Sequence, residues 1–212
     1  MMARKTKEDA QETHELLLDA AERVFQEKGV AHSTLNDVAL AAGMTRGAIY
    51  WHFKDKHALF HAMCDRALLP TEALMHEIAN TSSADALEAL RKMMVQLLCQ
   101  VSGNPRQRVV FDIMFHRCEK NQEMAFFVDE LAARQECLLQ LEAIMHKAVE
   151  QGKLPANTDA RMAMLAMHSY LIGLIHQWLL DPAAYDLQSR GAMMMEIFIA
   201  GLIAKPPLLA SN

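Results

Sequence analysis

One glycine between two short amphipathic runs constrains this chain more than any other feature. Before it, Leu35, Val38, Ala39 and Ala42 form one apolar face at helical spacing. Ser33 and Thr34 can supply an N-cap, and Asp37 stands three residues after Thr34, as in a capping box. After it, a helix starting near Thr45 can bury only Ala48, Ile49 and Phe53. Gly43 is free to take the left-handed turn that would reverse the chain between them. Two short helices joined in this way make a helix-turn-helix, whose second helix enters the DNA major groove. By spacing alone the pattern is weak, because helical hairpins contain it by chance.

The second helix then leaves Arg46, Tyr50, Trp51 and His52 facing away from its neighbours. Large aromatics usually lie in cores, so their exposure calls for a partner. Two local basic patches occur in the N-terminal part, "RKTK" at residues 4–7 and Arg46, Lys54 and Lys56 around the aromatics. The chain as a whole carries a net charge of -5, so only such patches could meet a phosphate backbone.

The remaining pattern predicts an all-α fold. Only 8 Gly and 6 Pro interrupt 212 residues, and Val, Ile and Thr form no alternating runs. A first helix runs from Lys7 to Lys28 and stops at Gly29. Asp55 can cap a fourth helix with Leu59, Phe60, Met63 and Ala67 inward, which Pro70 should kink or break. A linker at 80–85 is followed by helical segments near 85–102, 105–119, 123–151, 159–180 and 187–204. Residues 1–55 are therefore expected to form a three-helix DNA-binding domain, and 56–212 a larger helical ligand-binding and dimerisation domain. The N-terminus is charged from Arg4 onward and has no apolar export signal, which points to the cytoplasm. Cys64, Cys99, Cys118 and Cys137 are widely spaced and read as reduced thiols.

At this point the sequence resembles a known family. The stretch "STLNDVALAAGMTRGAIYWHFKDKHALF", preceded by "ARKTKEDAQET" and "LLLDAAERVF", closely resembles the N-terminal domain of TetR-family transcriptional regulators. The segments "FHRCE" and "GLIHQWLLDPAAYDL" extend the likeness toward the AcrR-type branch, repressors of multidrug efflux pumps. The resemblance implies a homodimer on palindromic double-stranded operator DNA, released by hydrophobic small molecules. It also implies a site of Thr45, Arg46, Gly47, Tyr50, Trp51 and His52 on the second helix, with Thr34 and Lys56 at neighbouring helix starts. Arg46 suits a bidentate pair with guanine, whereas Tyr50, Trp51, His52 and Lys56 suit phosphates. Arg4, Lys5 and Lys7 are expected to form a disordered arm that settles along the DNA.

The C-terminal part contributes a second set of expectations. Sixteen methionines favour an adaptable apolar pocket. Its expected lining includes Met75, Met93, Met94, Leu97, Phe111 and Met114, followed by Phe115, Cys137, His168, Leu171, Ile172 and His176. Residues 162–180 hold no Asp, Glu, Lys or Arg and approach the length of a membrane span. Their His, Ser and Gln side chains and the flanking Arg161 and Asp181 argue instead for a helix buried on several sides. Ala166, Ser169 and Gly173 form a small-residue stripe there, and Met194, Ile197, Phe198 and Gly201 a second stripe on the last helix. Together these are the expected dimer interface.

Other chemistry is not indicated. His57 and His61 stand four apart, as a metal clip requires, but no third ligand is nearby, so neither metal nor cofactor is expected. No phosphate-binding glycine loop or nucleophile motif is visible, and no enzyme activity is expected. The alternatives of a helical small-molecule binder without DNA function, or of an activator on the same scaffold, stay open at this level.

Overall fold

The computed structural model describes residues 2–67, 85–118 and 126–209, including their side chains apart from those of 2–6 and 126–137. Among them the secondary structure is helical: α1 (Met2–Lys28), α2 (Leu35–Ala41), α3 (Arg46–His52) and α4 (56–67) come first. Then follow α5 (Ala86–Gly103), α6 (Pro105–Asp112), a π-helical turn (Ile113–Arg117), α7 (Phe126–Glu150), α8 (Ala160–Leu180) and α9 (Leu187–Ala204). The expected all-α class is what the chain adopts. Pro70 and the linker at 80–84 lie outside the described residues.

The chain forms two compact units. One comprises Met1–Leu68 with Arg106–Phe126, the other Leu69–Pro105 with Phe127–Asn212. In the first, Leu17, Leu18, Ala21 and Phe25 of α1 are buried with Val38 and Ala39 of α2, Ile49 of α3 and Leu59, Phe60 and Met63 of α4. The Phe25 and Phe60 rings meet at 6.2 Å. Each of these large side chains contributes about 1.5–3 kcal/mol by leaving water.

Local rules account for the breaks between α1, α2 and α3. Gly29 and Gly43 have φ of 79° and 69°, a left-handed conformation that end-of-helix glycines take without a Cβ penalty. The Thr34 hydroxyl accepts from Asp37 N while the Asp37 carboxylate accepts from Thr34 N, closing the capping box on α2. Thr45 caps α3 through Ala48 N at 3.2 Å, and Asp55 accepts from Ala58 N at 2.7 Å to start α4. The helix α1 begins at Met2, earlier than the apolar pattern required. Its first turns hold Ala3, Ala10, Lys, Glu and Gln and no Gly or Pro, so nothing in the sequence stops the helix there.

In the second unit α9 lies along α5, and α8 touches both. Gly191 sets the closest approach, because a Cβ there would come within 3.1 Å of Leu98 Cδ1. Leu90, Leu98 and Val101 of α5, Met164, Met167 and Ile175 of α8, and Met195 and Ile199 of α9 are buried. The helices α8 and α9 are each long and apolar enough to cross a membrane. Both nevertheless bury a polar-capped, packed face: Tyr170 stacks on Phe198 at 5.2 Å and donates to Met194 O, which ties α8 to α9. Asp85, Asp159 and Asp186 cap α5, α8 and α9.

A candidate nucleic-acid interface on α3

The side chains of α3 divide sharply between inside and outside. Ile49 is fully buried and Phe53, at the C-cap, is nearly so, while Tyr50 is 47% and Trp51 74% exposed. An indole this exposed contributes nothing to the core. The Arg46 guanidinium lies 5.4 Å from the Tyr50 ring centroid, a cation–π contact that holds it in place without neutralising it. Thr45 and Gly47 are exposed as well. The Thr45 oxygen accepts the capping bond, so its O–H is still free to donate.

His52, expected to face outward with them, is instead half-buried behind this row, with its ring 5.8 Å from that of His14 on α1. Its ring stands edge-on to Trp51 at 4.6 Å, and burial first, then the charge of His14, hold its pKa below the usual histidine range. The turn between the two short helices is supported by Arg23 of α1, which donates to the Ala41 carbonyl at 3.3 Å. Met44 N also donates to Ala39 O at 2.8 Å.

Lys56, Thr34 and the basic residues Arg4, Lys5 and Lys7 are placed otherwise than the sequence suggested. Lys56 donates to the carbonyls of Val30 (2.6 Å), Ala31 (3.2 Å) and Ser33 (2.8 Å). An ammonium has three N–H donors, so none is left for a phosphate and Lys56 instead braces the α1–α2 loop. Burial lowers its pKa. Thr34 commits both its N–H and its O–H to Asp37, at 2.8 and 2.6 Å, and Lys28 binds the same carboxylate at 2.7 Å. The start of α2 is therefore already supplied with an anion. Arg4, Lys5 and Lys7 lie within α1 rather than in a disordered arm; Lys7 is exposed, and the other two side chains are not among the described ones.

An ion network joins three helices of the first unit. Glu15, Asp19 and Glu22 line one side of α1. Arg66 of α4 binds Glu15 and Asp19 at 2.9 Å each and Glu22 more closely still. Arg106 of α6 binds Asp19 at 2.7 Å and Glu22 at 3.5 Å. The Arg66 hydrogen bond, ahead of opposing desolvation, holds Glu15 below the ordinary glutamate value. Sequence reading missed this network, although the i, i+4, i+7 spacing of the three carboxylates was its visible signal.

The expected pocket residues are distributed over both units. Phe111, Met114 and Phe115 belong to the first, with the two phenyl rings 5.9 Å apart. Met93, Met94, Leu97, His168, Leu171, Ile172 and His176 belong to the second, where Met93, Met94 and Leu171 are buried. Met75 and the Cys137 side chain lie outside the described residues. A surface depression lined by Ser102, Trp178, Tyr185 and Gln188, among others, contains none of them. Ala166, Ser169, Gly173, Ile197 and Gly201 are exposed on α8 and α9, and Met194 and Phe198 are half-exposed. The His57 and His61 Nε2 atoms approach to 3.0 Å; among the described residues no group of three metal donors forms. Cys64 is buried, and Cys99 and Cys118 are half-buried.

Comparison with known proteins decides the family. Residues 17–63 match the bacterial regulatory proteins of the tetR family, and residues 85–203 match the C-terminal region of MAATS-type transcriptional repressors. The chain belongs to the TetR family of transcriptional regulators. It is 37% identical to the HTH-type transcriptional regulator AcrR of Shigella flexneri over 93% of this chain and 94% of that one. It is 38% identical to the HTH-type transcriptional regulator TtgR of Pseudomonas putida over 88% and 89%. Among solved structures it is similar to NalD, the secondary repressor of the MexAB-OprM multidrug efflux pump in Pseudomonas aeruginosa. That match has a TM-score of 0.79 and 29% identity over 92% of this chain and 97% of that one. A SmeT–triclosan complex matches with the same TM-score, 28% identity and coverage of 94% and 98%. As a TetR-family member the chain pairs a helix-turn-helix with a helical C-terminal region, the two parts that the family matches cover.

Proposed function

We propose that this protein is a cytoplasmic, homodimeric repressor of a multidrug efflux operon, released from a palindromic operator by hydrophobic small molecules. The observation that carries the reading is the outward face of α3, where Arg46, Tyr50 and Trp51 stand in solvent on a helix whose Ile49 is fully buried. Arg46 reads a guanine, and Thr45, Gly47, Tyr50, Trp51 and His52 position the helix on phosphate and sugar. Residues 1–55 serve the DNA and 56–212 serve ligand and dimer. No cofactor takes part and no reaction is catalysed.

One recognition helix reads only a few base pairs, so a second copy is required about 34 Å away. The exposed small residues Ala166, Ser169, Gly173 and Gly201, with Ile197 beside them, let α8 and α9 meet their counterparts closely. The effector lodges among apolar residues of the C-terminal part, Met93, Met94, Leu171 and Ile172 among them, and favours a state in which α4 moves. The names of NalD and of the triclosan complex of SmeT support the pump and the class of effector.

The test is a gel shift with the double-stranded DNA upstream of the chain's own gene, with and without triclosan. A retarded band that disappears on adding the drug is expected. A band unaffected by a panel of hydrophobic drugs would remove the effector from the proposal, and no band at all would remove the repressor.

A further inference from the structure

Behind the exposed face of α3 lies a histidine that the operator reading does not use. His14 of α1 is wedged between two side chains from the end of α3, with its ring 4.9 Å from Phe53 and 5.8 Å from His52. His52 in turn stands edge-on to Trp51 at 4.6 Å, so three rings run in series from His14 on α1 through His52 to the exposed Trp51. The His14 Nδ1 is buried without a hydrogen-bond partner, and the nearest carboxylate oxygen, on Glu15, is 3.8 Å away. A polar atom left in that state is held by its surroundings rather than by a bond of its own.

We infer that His14 is a positioning residue for DNA binding, setting the angle at which the His52 edge supports the exposed Trp51 ring. This rests on the operator-binding role of α3. The charge of His14 opposes a charge on His52. Glu15 faces His14 and is itself bound by Arg66. Burial and His14 keep His52 toward its neutral form in the free protein, whereas an approaching phosphate favours the imidazolium. Operator binding then takes up a proton at His52, and His14 sets the pH at which it does so.

The experiment uses full-length protein with His14→Phe, His14→Leu and Trp51→Ala, and reads two quantities. The first is Trp51 emission in the free protein against pH, taken as the difference between each protein and its Trp51→Phe counterpart, since protonated imidazole quenches indole. The second is the affinity for the upstream duplex. His14→Phe keeps the ring contact and removes the competing charge, so quenching should begin at a higher pH with thermal stability preserved. His14→Leu fills the space without an aromatic edge, and operator affinity should fall by about fivefold, as for a lost support of one phosphate contact, equally for all operator variants. Emission profiles and affinities of both variants that match the unaltered protein, while Trp51→Ala loses binding, would overturn the role of His14 and leave the operator face standing. Loss of nothing on Trp51→Ala would overturn the face itself and this role with it, whatever the emission profile shows.

Discussion

The Arg117 carbonyl accepts a hydrogen bond from the backbone N–H of Val30 at 2.9 Å, so the end of the π-helical turn is fastened to the loop that leads into the helix-turn-helix. On its other side the same loop is gripped by Lys56, which takes three of its carbonyls. The loop between α1 and α2 is thereby held by two residues distant from it in sequence, Arg117 and Lys56.

Replacing Lys56 with Gln should therefore act on stability before it acts on DNA. Leaving carbonyls without donors costs about 1–3 kcal/mol, less where water replaces the ammonium. Urea unfolding should show that loss. The slope of log affinity against log salt should stay unchanged, whereas loss of a phosphate contact would lower it by about one.

Arg46 and Tyr50 should separate reading from positioning. Arg46→Ala is expected to relax preference at one base position at a cost of about 1–3 kcal/mol. Tyr50→Ala should weaken all operator variants, and because the Tyr50 ring supports Arg46 it should also blunt the same base preference. Tyr50→Phe keeps the ring and should spare that preference. Affinities for a set of single-base operator variants check all three.

The α1 carboxylates depend on Arg66. Arg66→Ala leaves Glu22, which is 9% exposed, with only the longer contact to Arg106, and should cost about 3 kcal/mol, the low end for a broken buried pair since Glu15 and Asp19 reach solvent. Arg66 and Arg106 share Asp19 and Glu22. Their double substitution should therefore be non-additive in denaturant titrations.

The capping box on α2 should be acid-sensitive in one direction. Hydrogen bonds from Lys28 first and then Thr34 lower Asp37 from 3.8 to about 2. A carboxylate depressed in the fold stabilises it fully above its unfolded pKa, and that contribution is lost as pH falls through about 2. The difference in melting temperature between the protein and Asp37→Asn should thus be constant near neutrality and shrink below about pH 4.

Two glycines of the second unit should behave oppositely. Gly191→Ala drives a Cβ to 3.1 Å from Leu98, so overpacking should destabilise the fold by about 1–3 kcal/mol. Gly173 has nothing within 4 Å of such a Cβ. Gly173→Leu should leave the subunit folded but weaken self-association in sedimentation experiments, and operator binding should fall with it.

The sequence by itself determined whatever is set within a few residues. Thr34 with Asp37, Thr45, Gly43 and Asp55 each act on a neighbour three or four positions away, so the boundaries of α2 and α3 and the start of α4 were legible from residue type alone. The outward face of α3 was legible for Arg46, Tyr50 and Trp51, since one helix turn decides which side chains Ile49 and Phe53 leave outside, whereas His52, expected there too, packs against His14 of α1. The tertiary structure decided what the charged residues are for. Lys56 looks like a phosphate ligand in sequence because a cation follows a helix cap, but its carbonyl partners lie 23 to 26 positions away. Arg66 reaches Glu15 across 51 positions, and His14 meets His52 only once α1 crosses α3. A long cationic or aromatic side chain can serve solvent, DNA or a distant backbone equally well, and which of these it reaches depends on the packing of helices that no local pattern encodes.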